Sequence, residues 1–269
     1  MSDNPLERHH LLLRRLHSLT GILPIGVFLI MHLTTNSSIV WGAFNKRGLQ
    51  AEDATALDRR VGTFQHEVGF INDLPLLLLI EITLWAAIAF HAVLGVYYAR
   101  TGKGTSGSYA YQGHLRYRLQ RLSGYIGVLF IFYHVATLRW GWTFLVPGVE
   151  QGWAWSHEYA ASTLALALRG GTSFTFVGFL VSLAYFVCVS LLVFHFANGL
   201  WTAAITWGLT VSKAAQRRWG YVCLGLGAGL MLLGWSSVIG FAALDPGDAR
   251  AIEEHIHFHS ESAANADAN

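Results

Sequence analysis

A chain of 269 residues that is 53% hydrophobic and only 13% charged lies far from soluble domains, in which about a quarter of the residues are charged. That composition, with its positive mean hydropathy, excludes a soluble globular or disordered chain and places the bulk of the molecule in a bilayer. The net charge of +2 is uninformative as a total, its distribution mattering more; no nucleic-acid partner is expected, and Cys188 and Cys223 sit in apolar runs without metal-ligand spacing.

In chain order, five apolar runs stand out, at about 16–40, 74–99, 122–146, 174–207 and 219–244. Each is long enough to cross a bilayer core at ~1.5 Å per residue, which predicts an all-α bundle of five transmembrane helices over 1–244. The first run is too long for the core of a signal peptide and lacks a small-residue cleavage site, so it is expected to stay as a helix. Pro24 should bend it without ending it. Asn72 and Asp73 read as a cap for the second run, with Pro75 in its first turn. The fifth run carries Gly225 and Gly229, a pattern that suits close helix packing.

Two long connections separate the first run from the second and the third from the fourth. Within them 54–68 and 158–168 read as short helices along the interface, with Trp153 and Trp155 suited to an interfacial belt. The Gly/Ser/Thr-rich loop 102–108 reads as flexible. From residue 245 the chain is polar and low in complexity, which predicts a disordered tail over 245–269; its His255, His257 and His259 resemble a metal-binding tract but read as solvated.

Basic residues set the orientation. One set of flanks holds Arg8, Arg14, Arg15, Arg100, Lys103, Arg116, Arg118, Arg121, Lys213, Arg217 and Arg218, against only Asp3 and Glu7; the other side has seven Lys and Arg against thirteen Asp and Glu. The positive-inside rule then puts the N-terminus in the cytoplasm and the C-terminus outside.

Four of the runs hold one buried-looking histidine each: His32, His91, His134 and His195. An ionisable side chain at membrane depth is costly and marks a functional site by default. Imidazole is an axial ligand of haem iron, and helix bundles supply such ligands from facing helices. Depth can be counted from the basic flanks. His32 lies ~25 Å beyond Arg15, His134 ~20 Å beyond Arg121, and His91 only ~14 Å from Arg100; His195 falls in the inner half of its run. Like depths therefore pair His91 with His195 on the inner side and His32 with His134 further out, whereas the two other pairings mix depths. Gly95 and Gly199, each one turn after an inner histidine, leave room for a flat macrocycle. A lone histidine could simply bond across a helix pair, and a proton relay would want carboxylates, of which Glu81 is the only one in any run.

Several motifs then carry a resemblance. Arg14-Arg15-Leu16-His17-Ser18-Leu19-Thr20-Gly21 with His32-Leu33, Phe90-His91-Ala92-Val93-Leu94-Gly95, Gln120-Arg121-Leu122-Ser123-Gly124 with Tyr133-His134, and His195-Phe196-Ala197-Asn198-Gly199 with Gln216-Arg217-Arg218 are similar to the cytochrome b anchor of succinate:menaquinone oxidoreductases and fumarate reductases. The likeness is to the five-helix, two-haem, single-anchor type of Gram-positive bacteria and spans roughly residues 8–243.

The resemblance implies that the four histidines ligate two haem b groups, paired as the counting pairs them. It implies a flavoprotein and an iron–sulfur partner subunit on the cytoplasmic face, which hold the FAD and the clusters, and electrons passing by the inner and then the outer haem to menaquinone. It implies a multi-pass protein of the bacterial cytoplasmic membrane, in a complex whose higher oligomeric state is left open. Some epsilon-proteobacterial relatives carry a glutamate two residues before the fourth-helix ligand, linked to compensating proton movement; Val193 stands there, which favours succinate oxidation driven by the membrane potential. Arg15, His17, Ser18 and Arg121 are candidate partners of haem propionates, and His66 and Glu67 are candidates for the quinone site. The alternatives are a dihaem anchor of another quinone-linked oxidoreductase, or a transporter with intramembrane histidines; the latter lacks an inverted repeat and substrate-binding carboxylates.

Overall fold

The computed structural model describes residues 9–45, 54–101, 113–146 and 154–267, without the side chains of 113, 114 and 259–267. The predicted loop 102–108, Trp153 and the imidazole of His259 lie outside the described residues. Every element among those residues is helical: α1 (His10–Ile22), α2 (Pro24–Trp41), α3 (Ala56–Asn72), α4 (Leu77–Thr101), α5 (Gly113–Leu138), α6 (Ala160–Arg169), α7 (Phe176–Thr206), α8 (Lys213–Ala243) and α9 (Pro246–Asp267), with 3-10 turns at Gly42–Phe44 and Thr143–Leu145.

Five spans are long and apolar enough to cross a membrane: α1 and α2 together with the first 3-10 turn, then α4, α5, α7 and α8. Their outward side chains are apolar and exposed, as at Leu78, Leu129, Leu224 and Leu232. Such surfaces suit lipid, where a helix satisfies its own backbone polar groups. At Pro24 the first run divides into two helices with only Leu23 between them, and the Val27 N–H reaches the Leu23 carbonyl at 3.1 Å.

Other boundaries differ from the sequence reading for identifiable reasons. Asn72 ends α3 instead of capping the next helix, its side-chain amide donating to the Val68 carbonyl at 3.0 Å. After Pro75 the backbone turns through Leu76 in the left-handed region (φ 63°), and α4 starts at Leu77. Helix α5 starts at Gly113 and stops at Leu138, earlier at both ends than the run 122–146. Hydropathy begins the run only after its last charge, yet Arg116, Arg118 and Arg121 all lie within the helix. Gly225 and Gly229 face open space; Gly227 between them makes the close approach, where a Cβ would lie 3.0 Å from Ala197 Cβ.

The chain folds as two compact units, each assembled from three separate segments. The first comprises 1–31, 78–130 and 188–231; the second comprises 32–77, 131–187 and 232–269. In the second, α9 packs on α6 and α3, and α3 packs on the 3-10 turn at Gly42–Phe44. Thr55 opens α3 with a reciprocal capping box to Asp58. Helix α9 corrects the expectation of a disordered tail over 245–269. Composition averages over the segment, but Pro246, Ala249 and Glu253 are buried, with Ile252 and Ile256 half-buried beside them. That spacing is the apolar stripe of a helix that docks by one face.

Candidate functional site

The histidines fall into two facing couples, one within each unit. In the first unit the rings of His91 (α4) and His195 (α7) have centroids 6.1 Å apart and planes crossed at 78°. In the second, the rings of His32 (α2) and His134 (α5) are 5.6 Å apart and crossed at 83°. Two imidazole–metal bonds of ~2 Å each, end to end with the half-widths of the rings, span about such a distance.

How the first couple is held favours ligation. The Nδ1 of His91 lies 2.8 Å from the backbone carbonyl of His17, and the Nδ1 of His195 lies 3.0 Å from that of Gln120. A carbonyl only accepts, so each Nδ1 must carry the proton, which leaves the Nε2 lone pair of each ring free. Fixing one ring nitrogen on a backbone carbonyl is how proteins orient metal-binding histidines. The Ser123 hydroxyl stands a further 3.1 Å from His195 Nδ1. In the second couple the ring contacts are longer: His134 Nδ1 is 3.4 Å from the Tyr185 hydroxyl, and the Asn36 amide donates to the His32 carbonyl at 2.8 Å while lying 3.4 Å from both ring nitrogens of His32.

The close-approach glycines are on the helices opposite the ligand candidates. A Cβ at Gly21 would lie 2.6 Å from His91 Cε1, and one at Gly124 would lie 3.0 Å from His195 Cε1. Gly95 faces the His17 ring and Gly199 faces the Gln120 amide. Each imidazole thus sits against a carbonyl at position i and a glycine at i+4. A signal for this was available in an internal echo that periodicity alone does not flag: Arg15-Leu16-His17-Ser18-Leu19-Thr20-Gly21 and Arg118-Leu119-Gln120-Arg121-Leu122-Ser123-Gly124 share the frame Arg-Leu-x-x-Leu-Thr/Ser-Gly.

Of the propionate candidates, Arg15 is exposed over the Trp207 ring at 5.8 Å, and the Ser18 hydroxyl accepts from Trp207 Nε1 at 2.8 Å. His17 stacks on His91 with centroids 4.0 Å apart and planes 12° apart. The buried His17 Nδ1 and Arg121 Nη2 have no hydrogen-bond partner among the described residues, and neither does the hydroxyl of Tyr98, whose ring meets His17 edge-on. Arg14 lies over the same Tyr98 ring at 5.4 Å. The quinone candidates sit on α3 in the second unit, His66 exposed and Glu67 half-buried, while Phe64, Gln65 and Val68 take the buried face.

Sequence reading missed a polar network beside His195. Asn198, 6% exposed, accepts from both Nε and Nη2 of Arg116 at 3.0 and 2.6 Å and donates to Gln120 Oε1 at 2.7 Å. In the C-terminal segment, His257 Nε2 meets the Glu158 carbonyl at 2.7 Å, and no group of three or more potential metal ligands occurs among the described residues.

Comparison with known proteins adds one similarity. The chain is 33% identical over 229 residues to the succinate dehydrogenase cytochrome b558 subunit of Bacillus subtilis, covering 85% of this chain and 95% of the relative. No family model matches, and no solved structure does.

Proposed function

Because the chain belongs to the family of succinate dehydrogenase cytochrome b subunits, we propose that it is the dihaem membrane anchor of such a complex, carrying electrons from an iron–sulfur subunit to menaquinone. The observation that carries this reading is the pair of facing, crossed histidine couples, one in each unit. Two b haems would supply one-electron transfer between the soluble subunits and the quinone pool. His91 and His195 would ligate one of them through Nε2, and His32 and His134 the other.

The residues present fit such groups. Anchoring Nδ1 of His91 and His195 on a carbonyl orients the Nε2 lone pair of each ring, and glycines at 21 and 124 let the rings seat fully. The unpartnered donors of His17, Arg121 and Tyr98 supply what an acidic substituent needs, since an ionised acceptor gives the stronger bonds. Arg15 and Ser18, engaged with Trp207, are the weaker pair of propionate candidates.

On this reading the chain is a multi-pass protein of the bacterial cytoplasmic membrane, with its basic helix ends receiving a flavoprotein and an iron–sulfur subunit. Transfer toward the outer side would work with or against a membrane potential at ~2.3 kcal/mol per charge per 100 mV for a full crossing. Val193, fully buried, offers no proton acceptor at its position, which supports transfer without a compensating proton. His66 and Glu67 stay the candidates on the quinone side.

The test is a reduced-minus-oxidised spectrum of the purified complex, with succinate and then dithionite. Two b haems per anchor, at least one reduced by succinate, are expected. Haem reduced by dithionite alone would point to another electron donor, and no haem would return the transporter reading. A second expectation separates the glycines. Gly21→Val should push His91 off its carbonyl anchor and lower haem content, whereas Gly95→Ala, whose Cβ would lie 3.4 Å from His17 Cε1, should leave both haems in place. Haem content by alkaline pyridine extraction decides it.

A further inference from the structure

The network around Asn198 joins three helices, α5, α7 and α8, and converges on one histidine. Asn198 lies three residues beyond His195, on the same face of α7. The Gln120 carbonyl accepts from His195 Nδ1 at 3.0 Å, while the Gln120 side chain donates back to the His195 carbonyl at 3.1 Å. The other end of that side chain accepts from Asn198 at 2.7 Å, and Asn198 is forked by Arg116. Arg116 is itself pinned over the Trp201 ring at 4.3 Å, and Trp201 Nε1 donates to the Gln216 carbonyl at 3.0 Å. The chain of bonds therefore runs from α8 through a cation and two amides to the ring and backbone of His195.

At the echoed position in α1 no comparable network is seen among the described residues. His17 stands where Gln120 stands, and its side chain stacks on His91 instead of reaching back to that residue's backbone. The two rings of one couple are thus held differently, one by a carbonyl and a stacked ring, the other by a carbonyl and the Ser123 hydroxyl, with its own backbone carbonyl tied to an amide network that ends in a positive charge.

Resting on the dihaem reading above, we propose that Asn198 is a positioning residue that fixes the rotation of the His195 ring, and that Arg116 lends the haem that His195 would ligate, and not the other haem, a positive field. Buried hydrogen-bond chains polarise one another and lose far more than one bond when interrupted. A nearby cation favours the less positive, ferrous state of the iron that His195 would ligate.

The experiment compares the intact complex with wild-type, Asn198→Ala, Arg116→Gln and Arg116→Lys anchors, by low-temperature electron paramagnetic resonance of the ferric haems and by redox titration. The angle between ligand planes sets the low-field resonance of a bis-imidazole haem, and the couple holding His195 is crossed at 78°. Asn198→Ala should move the low-field resonance of one haem. Arg116→Gln should lower the midpoint potential of that same haem, Arg116→Lys should restore it toward wild type, and the second haem should not respond to any of them. Unchanged resonances and potentials at wild-type haem content would overturn the proposal and reduce the network to interhelical packing; equal shifts of both haems would overturn it too. Should Asn198→Ala fail to assemble, Arg116→Gln, which leaves both amides in place, decides by the same criteria. A wild-type complex without bis-imidazole signals would sink the dihaem reading itself, a different failure from silent variants.

Discussion

Replacing His91 with alanine is expected to remove one of two b haems, and replacing His195 should remove the same one. His32→Ala and His134→Ala should remove the other, so that four single variants fall into two spectroscopic classes, each with about half the dithionite-reducible haem. The grouping follows from the rings. His91 faces His195 at 6.1 Å, and His32 faces His134 at 5.6 Å. Loss of the group that orients a metal-binding histidine typically costs ~10–100-fold in affinity, so loss of the imidazole itself should empty the site. The remaining ring of each couple would then be left buried opposite an alanine.

His17→Ala is the control that gives the experiment its edge. His17 is a third histidine in the first unit, stacked 4.0 Å from His91, so proximity alone would class it with the ligands. Its contribution to His91 is a backbone carbonyl, which alanine retains. Both haems should therefore survive in His17→Ala, with at most a shifted band. The absorbance of the reduced haems and haem per complex, measured for all five variants, check this. If His91→Ala and His32→Ala deplete the same band, or if His17→Ala empties the site as His91→Ala does, the assignment of ligands fails.

The four histidines and their grouping into couples were open to sequence reading because both rest on invariants, and the same couples face each other in the structure. An ionisable residue stands out in an apolar run, and the rise per residue of a helix is constant, so depth is a count. What faces a ring is not a count but depends on which neighbouring helix packs against it and by which face. Gly95 and Gly199 follow from spacing along the ligand helices, whereas Gly21 and Gly124, which meet the rings, lie on other helices. The acceptors that orient His91 and His195 are carbonyls, a group every residue has, so no residue type announces them. Only the echo of Arg15–Gly21 in Arg118–Gly124 could have done so. The early start of α5 was hidden for a related reason. Hydropathy begins the run only after Arg121, whereas Arg116 is already inside the helix, its charge satisfied by Asn198 and the Trp201 face.

Glu253→Ala is expected to loosen α9 from α6 and to do so by an amount that hydrogen exchange can read. The carboxylate is fully buried and accepts from the Ala161 N–H at 2.7 Å, the Ser162 N–H at 3.3 Å and the Ser162 hydroxyl at 2.5 Å. Those amides belong to the first turn of α6, whose own preceding residue, Tyr159, provides no side-chain cap. Glu253 therefore caps α6 from another helix, satisfying donors that would otherwise be orphaned. Leaving buried donors unpaired costs about 1–3 kcal/mol, which is roughly a 5- to 150-fold rise in local opening. Glu253→Gln keeps an acceptor of the same shape and should lose less.

The sign of the pH dependence follows from the burial. Desolvation raises the Glu253 carboxyl above its ordinary 4.5, outweighing the bonds from Ser162 and Ala161 and the nearby Arg250, which pull it down. A raised value in the docked state means that docking holds the proton. Its contribution is fully present below the ordinary carboxyl range and is lost as pH rises through the raised value. His257 against Glu158 and Tyr159, and Arg250 over the Tyr159 ring, share the contact and are common to the wild-type and Glu253→Gln sequences. Because intrinsic exchange rates themselves vary with pH, the quantity to measure is the ratio of wild-type to Glu253→Gln protection for α9 and α6 peptides in the intact complex. That ratio should fall as pH is raised, since the amide cannot ionise. A ratio independent of pH would mean that Glu253 is already charged when docked, and that the cap of α6 is an ion and not an acid.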